Sequence, residues 1–498
     1  MICSVHYLHS CRSDPNDKLK HISDAENPLA DQKEEDERDS RGSNLLAHET
    51  SQLIRAVSNI TNLLRQCWGV AGAGIISTNL ASNMDGKKIV DFNPIVPGKQ
   101  VYALFGFAGI SDYSFILRSL EEHTMTFINA VARVVHDEVY RWGFDSSGQC
   151  NRNLGSAFLL VYRIGDFEEV AWMKQLAINI FLSMGDRSKD QKPQMIDGAN
   201  DIQLATLPGI SRFADRALLG ILKTFAGLYR DRNLKQFWED NDLRLSAGVK
   251  AFSFEMTFGM DAGWATEGAV GSSYKIDATY LSSHLNMASR MMCAAKQFNV
   301  PILVTEKMEE LLSSSARKLM RHIDTIIVKG SSEPQRVYTY DARHRGVDFF
   351  LNGRRDDVAD RESERYQENI WNRDSDLREM RAHISPEFES AFKLGLQQYH
   401  MGNFPDALKH LENANEIMVA EVINAGRMEH VNALRSLLLD PNQTREDVVT
   451  LREKIGDGPS QTLIQYIKSE DPGGAKYGPK RENQKPEGWK GYRFLSNK

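Results

Sequence analysis

The sequence predicts an α+β fold, and three local patterns carry that expectation. Val101 to Phe107 is an apolar, aromatic-rich run; after a break of small residues, Leu120, Phe127, Val131, Val134 and Trp142 recur at helical spacing, giving strand, turn and helix. Gly155-Ser156 lies between a polar run and the apolar stretch Ala157 to Ile164, which suits a hairpin with its tip at Gly155. The segment HLNMASR, residues 284 to 290, continues through Met291 and Ala295 as a helix and sets Asn286 and Arg290 on one face, four residues apart.

Taken along the chain, residues 1 to 44 are polar, contain the acidic-rich cluster DQKEEDERDS and show no apolar periodicity, so they are expected to be disordered. Residues 45 to 98 begin with a lead-in helix, marked by Leu46, Leu53, Val57, Ile60 and Leu64. Its apolar stripe spans under three heptads, which favours packing on its own domain over a coiled coil. Gly69, Gly72 and Gly74 suggest a phosphate loop only superficially, because no strand-loop-helix with Lys-Ser/Thr follows. The main α+β domain is expected over residues 99 to 345, including an elaborated connection from Gly165 to Asp242 with an amphipathic helix near Ala214 to Tyr229. Residues 346 to 385 are dense in charges of both signs and read as an exposed linker. Between 386 and 420, Ala391, Gly395, Tyr399, Gly402, Phe404, Ala407, Leu411 and Ala414 fall at the spacing of one tetratricopeptide-like helical hairpin, which cannot bury its own apolar face. Residues 421 to 498 form a tail in which Trp489, Tyr492 and Phe494 are candidates for docking back onto the body.

With 498 residues, 41% of them hydrophobic, the chain can bury a sizeable core. A net charge of -6 implies no general attraction to nucleic acid or to a membrane surface. Cys3, Cys11, Cys67, Cys150 and Cys293 are scattered without C-x-x-C spacing, which argues against a disulfide framework or zinc site and for a reducing, cytoplasmic setting. No apolar stretch approaches the roughly 20 residues of a membrane helix.

Three segments, FGFAGISDYS (105 to 114), NRNLGSAFLLV (151 to 161) and the stretch from Thr257 to Thr305, together resemble the class III adenylate/guanylate cyclase domain, in a protist-type form. The resemblance covers roughly residues 45 to 345. It implies an antiparallel, ferredoxin-like sheet and head-to-tail pairing of the chain, as a homo- or heterodimer with another cyclase domain. It also implies Mg²⁺ or Mn²⁺ held by two aspartates, one ending the first strand and one at the hairpin tip. Here those positions are Gly109 and Ser156. Asp112, three residues past Gly109, is a weak substitute whose simpler role is to cap the next helix. If each missing anionic ligand removes roughly 3 kcal/mol of transition-state stabilisation, the pair costs about 6, on the order of 10⁴-fold in rate.

The rest of the resemblance concerns the nucleotide. In the family the Asn of N-x-x-x-R orients the ribose and the Arg meets the α-phosphate charge, roles that would fall on Asn286 and Arg290. The base-selecting positions are Arg152, where adenylate cyclases carry Lys, and Thr279, where they carry Asp or Thr. A donor paired with a hydroxyl suits adenine better than guanine, so ATP is favoured over GTP. Lys329, in Val328-Lys329-Gly330-Ser331, is a weaker candidate for a phosphate contact. The sequence thus leads to a chain in cyclic nucleotide signalling that lacks the metal half of the site and keeps the base and transition-state half. Two alternatives stay open: a pseudoenzyme scaffold, and a working cyclase with substitute carboxylates. The expected location is cytoplasmic, with recruitment to a membrane or ciliary complex left open.

Overall fold

The computed structural model describes residues 97–143, 147–184, 202–231, 255–272, 274–342, 362–425, 455–470 and 489–495, with isolated positions from 51 to 72 and at 233, 234 and 237. The chain forms two compact units, Met1–Leu64 and Arg65–Lys498. In the first, the described positions between 51 and 63 are helical and exposed, Ile60 among them. Leu46, Leu53, Val57 and Leu64, and the whole stretch expected to be disordered, lie outside the described residues.

Among the described residues the second unit is built on a nine-stranded sheet whose strands lie in the order Gly148–Asn153, Ala157–Asp166, Lys99–Ile110, Met256–Gly271, Ile302–Thr305, Gln335–Tyr340, Met320–Val328 and Arg493–Leu495, with Ile276–Leu281 paired to the fourth of these. Strand β1 (Lys99–Ile110) leads through α1 (Tyr113–Leu120) into α2 (Thr124–Trp142), the strand-turn-helix expected from the apolar pattern. Strands β2 (Gly148–Asn153) and β3 (Ala157–Asp166) form the hairpin, followed by α3 (Phe167–Met184) and α4 (Ile210–Arg230). The long strand β4 (Met256–Gly271) turns back as β5 (Ile276–Leu281), and α5 (Ser283–Phe298) carries the chain to β6 (Ile302–Thr305). Strands β7 (Met320–Val328) and β8 (Gln335–Tyr340) follow, then the helices α6 (Pro386–Met401), α7 (Phe404–Ala425) and α8 (Gly458–Glu470), and finally strand β9 (Arg493–Leu495).

This sheet corrects the expected antiparallel, ferredoxin-like architecture. Pairs β1/β3, β1/β4, β2/β3, β4/β5, β6/β8 and β7/β8 are antiparallel, but β4/β6 and β7/β9 are parallel. The physical reason is the connections: a helix returns the chain before β6, and a long helical excursion precedes β9, so each strand enters beside its neighbour in the same direction. The fold is therefore mixed α+β.

Among the described residues three apolar cores hold it. The largest packs one sheet face, including Tyr102, Leu104, Phe158 and Phe258, against Phe127, Val131 and Trp142 of α2 and Leu218, Leu222 and Phe225 of α4. Trp371, Leu377 and Met380, from the charged stretch after residue 362, join this core. Their segment is fixed to α4 by buried polar contacts. Asp215 accepts hydrogen bonds from Ser313 Oγ (2.5 Å), Tyr366 Oη (2.5 Å) and Trp371 Nε1 (2.8 Å), and Lys223 Nζ bonds Asp374 (2.5 Å) and Asp376 (2.8 Å). The second core joins α5, β6, β7 and β8 to the α6–α7 hairpin and α8, burying Ala391, Tyr399, Phe404, Ala407, Leu411 and Ala414. The hairpin's apolar face is thus covered by the sheet unit, as a lone hairpin requires. Arg321 adds a buried link across this seam, its guanidinium reaching Asp341 (2.7 Å) and Asp457 (2.9 Å) and lying over Phe388 and Phe392.

Candidate functional site

Sequence chemistry fixes the corner where the first strand meets the hairpin. Gly155 takes a positive φ of 72°, a conformation glycine enters without steric cost, and Leu154 N bonds Ala157 O (2.7 Å) to close the turn. The backbone of Ile110 then donates to Ser156 O at 2.8 Å. Gly109, opposite Ala157 on β3 and Thr257 on β4, is therefore beside Ser156, and the two expected metal positions meet.

Neither brings a charged oxygen. A Cβ built on Gly109 would lie 2.6 Å from Met292 Sδ, so the thioether of α5 occupies the space a side chain there would need. Helix α5 reaches this close because a Cβ at Gly259 would fall 2.1 Å from Met292 N, so only a glycine on β4 permits the approach. Asp112 occupies the N-cap position of α1 but with left-handed φ 51°, and its side chain makes no capping bond. Its carbonyl instead accepts from Phe115 N (2.9 Å) and Ile116 N (3.1 Å), and the carboxylate is exposed. The side-chain cap expected of Asp112 is therefore not made, because its backbone is left-handed rather than in the extended conformation from which a capping side chain reaches the helix's free N–H groups. The donor set at Gly109 and Ser156, one absent side chain and one neutral hydroxyl, does not fit a hard divalent cation, which takes carboxylate ligands. Among the described residues no group of three or more His, Cys, Asp or Glu is placed to hold a metal.

Helix α5 carries the second group. Ser282 caps it, accepting from His284 N at 3.0 Å, and His284 Nδ1 sits 2.8 Å from buried Asp261 Oδ2, whose other oxygen accepts from Thr305 Oγ1 (2.5 Å). These bonds fix the start of the helix on β4 and β6. One turn on, Asn286 is exposed and Arg290 half-buried. The Arg290 guanidinium rests on the β7–β8 turn, where a Cβ at Gly330 (φ 79°) would lie 3.0 Å from it, next to exposed Lys329. Neither Arg290 nor Lys329 has an acidic partner among the described residues. A guanidinium and an ammonium set at one turn can attract phosphate oxygens.

The third group lies on β2 and β5. Arg152 Nη2 is 3.6 Å from Asp277 Oδ2, a half-exposed pair, and Thr279 is two residues further along β5 on the same face. The positions are brought together because the β4–β5 hairpin folds over its own sheet: Ala278 and Tyr280 cover Val101, Ala103 and Phe105 of β1 and Leu159 and Val161 of β3. Tyr280 packs edge-on against Phe105, its hydroxyl donates to Glu267 (2.8 Å), and Arg163 reaches the same carboxylate (3.4 Å). Burial pushes the Tyr280 phenol well above its ordinary value and keeps it a donor. Cys150, on β2, is likewise pushed up by burial to about 12, which leaves its thiol unreactive.

Gly109, Ser156, Asp112, Asn286, Arg290, Lys329, Arg152 and Thr279 were singled out from the sequence, whereas Met292, Asp261, His284 and Asp277 were not. Their roles depend on which helix lies on which strand, and no local pattern announces that.

Comparisons with known proteins give several partial likenesses. Residues 7–81 match a family described as the RasGEFs all helical domain. The chain is 31% identical over 98 residues, 20% of its length, to the terminal-differentiation-specific adenylate cyclase of Dictyostelium discoideum, and this match spans 5% of that relative. Among solved structures it is similar to a bacterial light-regulated adenylyl cyclase, with 15% identity, TM-score 0.37 and 59% of this chain and 65% of that one covered. The adenylyl cyclase CyaB from P. aeruginosa gives 16% identity, TM-score 0.31 and coverages of 52% and 99%. The guanylate cyclase domain of RhGC from Catenaria anguillulae gives 15%, 0.30, 48% and 96%. No helix among the described residues is long and apolar enough to cross a membrane.

Proposed function

We propose that this chain is a class III nucleotide cyclase-homology protein that binds a nucleoside triphosphate, ATP in preference to GTP, and completes an active site only with a domain that supplies the metal carboxylates. The observation that carries this reading is the contrast between two corners of one sheet. Gly109 and Ser156 stand side by side without a carboxylate, while Arg290 lies at the Lys329–Gly330 turn with no acidic partner among the described residues. A purely structural arginine at such a place is usually paired, since an uncompensated half-buried charge is costly.

In this reading Arg290 binds phosphate oxygens through its planar fork, Asn286 holds the ribose and Lys329 adds a point charge. Arg152 must leave Asp277 to meet the base, a small demand because half-exposed ion pairs contribute about 0–1 kcal/mol. The β4–β5 arm offers a second domain an apolar contact through Val270, Leu281 and Tyr274, the last 97% exposed. In the same reading residues 386 to 420 are a tetratricopeptide-like hairpin packed on the sheet unit through α5 and β6–β8.

The test is direct. The purified chain is expected to form no cyclic nucleotide from ATP or GTP with Mg²⁺ or Mn²⁺, yet to bind ATP, with Arg290→Ala weakening binding by about ten-fold. Robust turnover by the chain alone would sink the reading in favour of substitute ligands, and ATP binding indifferent to Arg290→Ala would favour a scaffold.

A further inference from the structure

We propose that residues 489–495 form a clasp that sets the gap between Arg290 and Lys329, with Arg493 as the positioning residue. The clasp rests on the reading of those two cations as a phosphate-binding pair. Strand β9 adds to the sheet edge in parallel with β7, pairing Ile326 with Arg493, Ile327 with Phe494 and Val328 with Leu495. The residues it holds are the last three before Lys329, so the strand that presents the cation is braced up to its final residue.

A three-residue strand cannot hold itself in place, and the anchors come from side chains. Trp489 is buried against Tyr399 (5.0 Å), Phe404 (5.4 Å) and Tyr466 (6.2 Å), and its Nε1 donates to His400 O at 3.2 Å. His400 Nδ1 in turn lies 2.9 Å from Gly491 O. Arg493 is the joint. Its Nε donates to Asp324 Oδ2 of β7 at 2.6 Å, and its guanidinium lies over Phe298, the last residue of α5, and Tyr466 of α8, at 5.0 and 5.1 Å. One buried side chain therefore ties the strand that ends just before Lys329 to the helix that bears Asn286 and Arg290. Phe494, by contrast, is 71% exposed and Tyr492 half-buried, so Trp489 and Arg493 carry the docking.

Removing the joint should let the β7–β8 turn drift away from Arg290 while the far side of the sheet stays folded. The experiment uses the full chain and two variants: Arg493→Ala, and Asp324→Asn/Arg493→Gln, which leaves no lone buried charge. Amide hydrogen exchange at residues 326–331 is expected to quicken by about ten-fold in both, with β1 and β3 unchanged as the control for folding. Titration with inorganic pyrophosphate should show affinity lower by about five-fold, Arg493→Lys should recover part of it, and adding Arg493→Ala to Lys329→Ala should cost little more than Lys329→Ala alone, as coupled residues do. Unchanged exchange at 326–331 would overturn the clasp, and so would full additivity with Lys329→Ala. If the wild type and Arg290→Ala bind pyrophosphate equally, the phosphate reading fails by itself, and the exchange result decides whether Arg493 fixes the turn.

Discussion

Returning carboxylates to the empty corner, as Gly109→Asp with Ser156→Asp, is expected to raise cyclic nucleotide formation with Mg²⁺ by on the order of 10⁴-fold, since each restored anionic ligand contributes roughly 3 kcal/mol in the transition state. The geometry adds a condition that the residue types alone do not reveal. Met292 Sδ lies 2.6 Å from where a Cβ on residue 109 must sit, so the new side chain has to displace the thioether. Overpacking of this kind costs about 1–3 kcal/mol, softened here because methionine is flexible. The triple variant with Met292→Ala should therefore outperform the double by about ten-fold, measured as product formed per chain by chromatography. A folded triple variant with no more product than the wild type would show that more than the metal corner has been lost.

The second large effect is on stability. His322, on β7, stacks on His400 with ring centres 5.5 Å apart, packs against Tyr338 at 5.1 Å and has Nε2 2.9 Å from Asp324 O. Burial first, and the neighbouring His400 second, push its pKa down from 6.5 to about 4, with Asp324 O and Glu306 opposing and Arg336 adding to the drop. The unfolded chain takes up the proton as pH falls through 6.5, while the folded chain resists until about 4. Folding free energy is therefore complete above the unfolded value and falls by about 1.4 kcal/mol per pH unit in that window, about 3 kcal/mol in all. Denaturant melts from about pH 7 to about pH 4 should show this slope in the wild type and a shallower one, by that amount, in His322→Gln. Equal slopes would mean that the ring is solvated or that another group carries the dependence.

Local chemistry made part of this molecule legible. The β1–α1–α2 run and the Gly155 hairpin follow from apolar period and turn preference, which a few neighbouring residues determine. The mixed sheet was not legible, because β4/β6 and β7/β9 pair across long connections and only the assembled unit shows the strand direction. Charge density over residues 346 to 385 does not disclose that Asp374 is buried on Lys223, or Asp376 on Lys223 and Arg230, both far away in the chain. At the candidate site, spacing set Asn286 and Arg290 on one helix face, while the absent carboxylates at Gly109 and Ser156 were expected only through the family resemblance. Met292 over Gly109, and Arg493 as the anchor among more conspicuous aromatic residues, depend on the register between distant elements.

In the proposed function this chain keeps one half of a composite site. Complementation between two copies tests it most directly: the wild type, and a Gly109→Asp/Ser156→Asp/Met292→Ala copy that also carries Arg290→Ala. Each alone should give only background cyclic AMP, while an equimolar mixture should produce it well above either, because the restored carboxylates of one copy meet the intact Arg290 of the other. A mixture that stays at background, with both copies folded, would contradict a site shared between two domains.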